Sequence, residues 1–357
     1  MPNYESITKL RVVMPLFIAF VFLFIIPGTT ILISNTRYFG TTHPVYGQPD
    51  QMNSNITNSL NIQNIPLKKV HVGDIGIAYK TVGKGDPILL VSGSSSDMNA
   101  WEPSTLRTLS SNHTVIVFDN RGVGNTTTGT KPFSIQQLAN DTVGLLDALK
   151  IQKADVLGYS LGSFVAQQLT VTHPGKVNRL VLLGASCGGK EGVPESPQLV
   201  KFFSEMVNKS LNNIPITPQE LKTLLSIPMG SAWMKLHPNF LVTTYHLGTI
   251  PANTQLKDIV RIPPNTLKQQ NHISQDWMAT NWNGICDELT KVSSPTLIIT
   301  GNHDNNVPTA NSLIIAAKIP GAWLVQIKDA GHALFVQYPD KVNKVLQTFL
   351  STTTNPG

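Results

Sequence analysis

From residue 68 onward, short apolar runs alternate with longer stretches of helical spacing. Two alternating segments, Lys68 to Val72 and Ile75 to Val82, flank Gly73-Asp74 and predict an antiparallel hairpin. Pro87 to Val91 and Thr114 to Phe118 are continuous apolar runs, the pattern of strands covered on both faces. Leu138, Thr142, Leu145 and Leu149 fall on one face of a helix over about 134–149. A further strand then reaches Gly158, and a helix carrying Leu161, Val165 and Leu169 starts at once and stops at His173-Pro174. Another strand spans Val177 to Gly184. Strand and helix in this alternation predict an α/β fold with a mostly parallel, doubly wound sheet.

The alternation breaks at residue 186. Leu199, Phe202, Phe203, Met206 and Val207 mark an amphipathic helix, and further helices are expected at Pro218 to Leu225 and Asn265 to Glu288. The α/β pattern returns with Pro295 to Gly301, a helix from Ala310 to Lys318, the strand Trp323 to Ile327 and a closing helix containing Val342, Leu346 and Phe349. The reading is a core of residues 67–185 and 290–352, interrupted by a helical cap, 186–289, over the C-terminal edge of the strands, where open α/β sheets bind ligands.

The first 33 residues read as a membrane anchor or signal segment. Lys9 and Arg11 precede an apolar run from Val12 to Ile26, resumed at Ile31-Leu32-Ile33, and about 22 helical residues cross a ~30 Å hydrocarbon layer. No A-x-A cleavage pattern follows it, and the basic flank predicts an extracytoplasmic catalytic domain, membrane-anchored or, after cleavage, secreted. Residues 34–66, rich in Asn, Thr, Gln and Pro, read as a flexible linker.

Composition narrows the classes. Charged residues are 13% and the net charge is +6, with Lys and Arg scattered rather than clustered, which argues against nucleic acid as a partner. Cys187 and Cys286 have no C-x-x-C spacing, so no metal site is expected. They read as two buried free thiols, the alternative being a bridge across the stem of the insertion. Nothing in the composition speaks to oligomeric state.

Candidate chemistry gathers at strand ends. Gly158-Tyr159-Ser160-Leu161-Gly162 is a G-x-S-x-G at a strand–helix junction, a turn that exposes a serine hydroxyl and brings helix N–H groups beside it. A nucleophilic serine needs a base and a group that orients the base. Asp304 follows the strand ending at Gly301 and His332 follows the last strand, so all three stand at one edge of the sheet; Asp329 and His303 are the rivals. Ser94, in the loop after Pro87 to Val91, and Leu161 are the candidate oxyanion donors through their amides. Asp119-Asn120-Arg121-Gly122-Val123-Gly124 lacks the spacing of a phosphate loop and reads as structural.

Ser92-Gly93 with Trp101, Asp119-x-Arg121-Gly122-x-Gly124, the Ser160 elbow, Gly301-x-x-Asp304-x-x-Val307-Pro308 and Gly331-His332 together resemble the α/β-hydrolase family over residues 68 to 350. The resemblance implies Ser160 as nucleophile, His332 as base, Asp304 as its orienter, no cofactor, and a cap like those of small esterases and haloperoxidase-like members. Ser92 stands where the family usually carries His. Serine rather than aspartate at 160 favours an ester, thioester or amide over halide or epoxide chemistry. The expected function is a carboxylesterase acting on a small-molecule ester, with Trp233, Trp277 and Trp282 lining an acyl pocket. Alternatives are a proline-iminopeptidase-like aminopeptidase, with Glu195, Glu205, Glu220 or Asp276 holding the amine, a haloperoxidase- or perhydrolase-like enzyme, and a ligand-binding receptor that keeps the pocket.

Overall fold

The computed structural model describes residues 60–245, 251, 253–260 and 262–352. The segment read as a membrane anchor and most of the linker lie outside the described residues. Among the described residues, no helix is long and apolar enough to cross a membrane.

Eight strands form one sheet: β1 (Lys68–Val72), β2 (Ile75–Val82), β3 (Asp86–Val91), β4 (His113–Phe118), β5 (Ala154–Tyr159), β6 (Val177–Leu183), β7 (Thr296–Gly301) and β8 (Trp323–Ile327). Their order is β1-β2-β4-β3-β5-β6-β7-β8. The first two pairings, β1 with β2 and β2 with β4, are antiparallel; all others are parallel. The chain therefore runs from β3 outward to β4 and then returns to the other side of β3 with β5. That reversal places the ends of β3 and β5 side by side, where open α/β sheets leave a crevice.

The period of two explains the two-sided core. Leu89 and Val91 of β3 face a layer built by α2 (Ile135–Ala148), α3 (Leu161–Thr172) and α10 (Ala310–Lys318), while Ile88 and Leu90 face α1 (Pro103–Ser110), α11 (Leu334–Gln337) and α12 (Pro339–Leu350). Both faces are covered, so these strands carry continuous apolar runs. The core also extends N-terminal to the expected boundary at 67: Ile62 is buried in it, and its carbonyl accepts a hydrogen bond from Lys80 Nζ at 2.8 Å.

Between β6 and β7 the described residues form α4 (Pro197–Leu211), α5 (Pro218–Ser226), α6 (Ser231–Leu236), α7 (Phe240–Tyr245), α8 (Leu256–Val260), α9 (Pro264–Met278) and connecting turns. Local signals start them: Ser196 caps α4, and Thr217 with Glu220 closes a capping box on α5. Met206, Val207, Leu221, Leu256 and Leu267 make a small core that closes on Val123, from the loop after β4. The insertion thus rests on loops at the C-terminal ends of the strands. The α9 helix stops at Met278, not at Glu288 as its spacing predicts, because Ala279 turns extended and Gly284 takes a positive φ of 72°.

The structure corrects the expectation of free thiols. Cys187 and Cys286 form a disulfide across the two ends of the insertion, with Cα atoms 5.0 Å apart. The ends run together: the Ile285 amide donates to the Cys187 carbonyl at 3.0 Å and the Lys190 amide to that of Trp282 at 2.8 Å.

Candidate active site

Ser160 occupies the junction of β5 and α3 with φ 54° and ψ −122°, a region that costs a non-glycine residue roughly 1–3 kcal/mol. Close packing enforces it. A Cβ at Gly158 would lie 2.3 Å from the Gly162 carbonyl oxygen, and one at Gly162 would lie 2.0 Å from that of Val91, so only glycine fits on either side of the serine. Although Ser160 stands at the N-cap of α3, its side chain caps nothing; its hydroxyl is left for other chemistry. Its amide donates to the Leu183 carbonyl at 2.9 Å, which ties the elbow to the end of β6.

Asp304 and His332 come together in the loops after β7 and β8. Both are 4% exposed. Asp304 Oδ2 lies 2.7 Å from His332 Nδ1, and Oδ1 accepts from the Asn306 and Val307 amides at 3.0 and 2.9 Å. A carboxylate so engaged fixes the aspartate; Nδ1 is then the donor, and the neutral ring keeps a lone pair on Nε2. The same carboxyl thus caps its own loop and holds the histidine.

The His332 ring packs against Tyr159 at a tilt of 35°, with centroids 5.0 Å apart, and Tyr159 meets Phe335 edge-on at 4.8 Å. On its other side, a Cβ at Gly184 would stand 2.7 Å from His332 Cε1. Tyr159 precedes Ser160 in the chain, and Gly184 follows the residue that binds the Ser160 amide, so the imidazole is seated against the elbow. The rivals His303 and Asp329 lie 3.9 Å from each other, the histidine exposed and the aspartate half-buried.

The loop after β3 approaches from the other side. A Cβ at Gly93 would lie 3.1 Å from Ser160 Cβ. The amides of Ser94 and Leu161 donate no hydrogen bond among the described residues, and Leu161 opens α3, where the helix dipole favours negative charge. Asn120 Nδ2 donates to the Ser92 carbonyl at 3.2 Å, so the loop is anchored although Ser92 replaces histidine. Gln270, from α9, meets Ser95 of the same loop. Neither partner was legible beforehand, since Gln270 and Ser95 are 175 residues apart.

Arg121 is structural, bonded to Asp74 and Asp141 with side-chain exposures of 0%, 19% and 7%. Asp119 accepts from the Met98 and Asn125 amides at 2.8 Å each. Burial nevertheless pushes its carboxyl up to about 6.

The tryptophans expected to line a pocket are packed. Trp277 Nε1 donates to the Ser186 carbonyl at 2.9 Å and its ring stacks on Phe164; Trp282 bonds the Trp277 carbonyl. Both brace the stem beside the disulfide. Trp233 is buried against Met229 and Ala333, next to His332 in the chain. A cavity of about 180 Å³ is lined by Pro194, Glu195, Val200, Gln275, Met278 and Ala279. Among the described residues, no three His, Cys, Asp or Glu side chains gather as a metal ion would need.

A family model described as alpha/beta hydrolase fold matches residues 86–339. The chain belongs to the α/β-hydrolase family. This α/β-hydrolase is 24% identical over 291 residues to a pyrrolizixenacetamide deacetylase of Xenorhabdus hominickii, spanning 81% of this chain and 100% of that one. It is also 24% identical over 278 residues to a poly(3-hydroxyalkanoate) depolymerase of Ectopseudomonas oleovorans, 74% of this chain and 84% of that one. A solved α/β-hydrolase from a Medee basin deep-sea metagenome library shares the fold at TM-score 0.67 and 17% identity, over 81% of this chain and 99% of that one. A second, described as an N-acyl homoserine lactone degrading enzyme, matches at TM-score 0.61 and 26% identity, over 79% and 100% of the two chains.

Proposed function

We propose that this hydrolase is a serine carboxylesterase that cleaves small-molecule esters through an acyl-enzyme. The observation that carries the reading is the buried 2.7 Å contact of Asp304 with His332 Nδ1, which leaves Nε2 as a base beside the strained Ser160 elbow. His332 takes the Ser160 proton as the oxygen attacks the ester carbonyl, and the oxyanion rests on the amides of Ser94 and Leu161. The imidazolium then protonates the departing alcohol. Water, activated by the same Nε2, releases the acid. The ester- and amide-type names of the two curated relatives agree with acyl transfer. The test is turnover of p-nitrophenyl esters of graded chain length by the protein and by Ser160→Ala; equal rates would refute the assignment.

Glu195 favours a second reading, a peptidase that takes a substrate amine. It lines the cavity beside apolar Pro194, Val200 and Met278. Burial above all pushes its carboxyl up to about 7, with His332 opposing and Asp304 adding to the rise. Aminoacyl p-nitroanilides, assayed with Glu195→Gln, separate the two: selective loss on amines alone supports the peptidase. With Lys9 and Arg11 ahead of the apolar run, the same proposal puts the enzyme outside the cytoplasm, anchored or secreted, which fractionation of expressing cells tests.

A further inference from the structure

Gln270 sits within α9 at 0% exposure. Its Oε1 accepts from the Ser95 amide at 2.9 Å and from the Ser94 hydroxyl at 3.4 Å. Both groups facing that atom are donors, so the amide orientation follows from the network; the flipped form would set N–H against N–H. The other end of the side chain is unsatisfied: Nε2 is buried with no hydrogen-bond partner among the described residues. Burying a polar group unpaired lowers stability, and a methionine or leucine would fill the same space without that loss. What neither could supply is the grip on Ser95.

That grip matters because Ser95 holds φ 60°, a left-handed conformation that a serine keeps only when its surroundings impose it. The adjacent residue, Ser94, offers the free amide beside Ser160. The Gly93–Ser94 peptide is therefore held from two sides, by Asn120 of the core at the Ser92 carbonyl and by Gln270 of the insertion at Ser94 and Ser95. Among the described residues, both hydrogen bonds from the insertion to this loop end on one atom, Gln270 Oε1.

We propose that Gln270 is a positioning residue through which the insertion sets the oxyanion hole: by fixing Ser95 in its left-handed turn, it aims the Ser94 amide at the reacting carbonyl. The inference rests on the esterase reading. Gln270 touches no reacting atom; it acts through the loop. Loss of an oxyanion donor lowers kcat by about 100- to 1,000-fold, and a donor that is displaced rather than deleted should lower it by about 10- to 100-fold.

The experiment compares wild type, Gln270→Met and Gln270→Asn on one p-nitrophenyl ester, with binding of a trifluoromethyl ketone analogue of the tetrahedral intermediate and thermal melting. Asparagine keeps an amide but retracts it from reach, so it serves even where methionine does not fold. Expected for both is a kcat lower by about 10- to 100-fold, KM within about twofold, and analogue affinity weakened in step with kcat/KM. Wild-type kcat and analogue binding in either folded variant, whatever its Tm, would overturn the proposal and leave Gln270 a packing residue. Absence of Ser160-dependent turnover in the wild type would instead remove the esterase reading, and this inference with it.

Discussion

Opening the Cys187–Cys286 bridge is expected to lower the stability of this hydrolase far more than it lowers activity. The cysteines are separated by 99 residues, and closing a loop of that size removes chain entropy from the unfolded state equivalent to about 4.7 kcal/mol. The native stem does not depend on the bridge alone. The Ile285 and Lys190 hydrogen bonds, and the contact of Gly189 with Gly284, hold the same two segments. The Cys187→Ser/Cys286→Ser protein should therefore fold to the same structure and differ mainly in its unfolded ensemble. Taking the roughly 290 described residues at about 2.1 cal/mol/K each, the unfolding entropy is near 0.6 kcal/mol/K, so the melting temperature should fall by about 8 °C. Differential scanning calorimetry of wild type and double variant without reductant measures this, with esterase rates at 25 °C as the second readout. A shift under about 2 °C would refute the argument. So would a loss of activity as large as that of Ser160→Ala, because it would mean the bridge shapes the native site.

Other expectations concern the site. Ser160→Gly and Ser160→Ala should both be inactive, yet the glycine variant should be about 1 kcal/mol more stable in urea unfolding because glycine relieves the positive φ; equal stabilities would show the elbow unstrained. Gly184→Ala puts a Cβ 2.7 Å from His332 Cε1 at φ 58°, and kcat on esters should drop about 100-fold as the imidazole is displaced; wild-type kcat would sink this. The Glu195 carboxyl is raised from 4.5 to about 7. The unfolded chain therefore ionises first, and the folded state loses stability as pH climbs through that interval. Glu195→Gln should flatten this decline in Tm between pH 4.5 and 7, and parallel Tm–pH curves for the two proteins would count against it.

The strands were legible because each is a short apolar run bounded by glycine, proline or charge, and the pattern itself reports two-sided burial. The hairpin bounds, Lys68–Val72 and Ile75–Val82, and the helix Ala310–Lys318 coincide with expectation. Helices of the insertion were less so. The apolar spacing after Met278 continues through Trp282 and Ile285, but those side chains turn inward on the stem rather than along a helix face. The disulfide was the lesser of the two readings: the cysteines were recognised at the two ends of the insertion, but spacing alone does not tell whether two such sulfurs meet or stay apart as buried thiols. At the site, Ser160, Asp304 and His332 stood out because each follows a strand. Gln270 and Asn120 did not: each is an ordinary polar residue until the fold brings it to the loop after β3.

The order in which the chain supplies this site has a consequence for its synthesis. The elbow is complete once β6 has paired with β5, but the orienting acid and the base arrive only with the loops after β7 and β8. On the proposed reading, a nascent polypeptide still tethered to the ribosome carries a poised alcohol and no means to ionise it. Hydrolytic competence then waits on the pairing of β8 with β7, which carries the base to the alcohol.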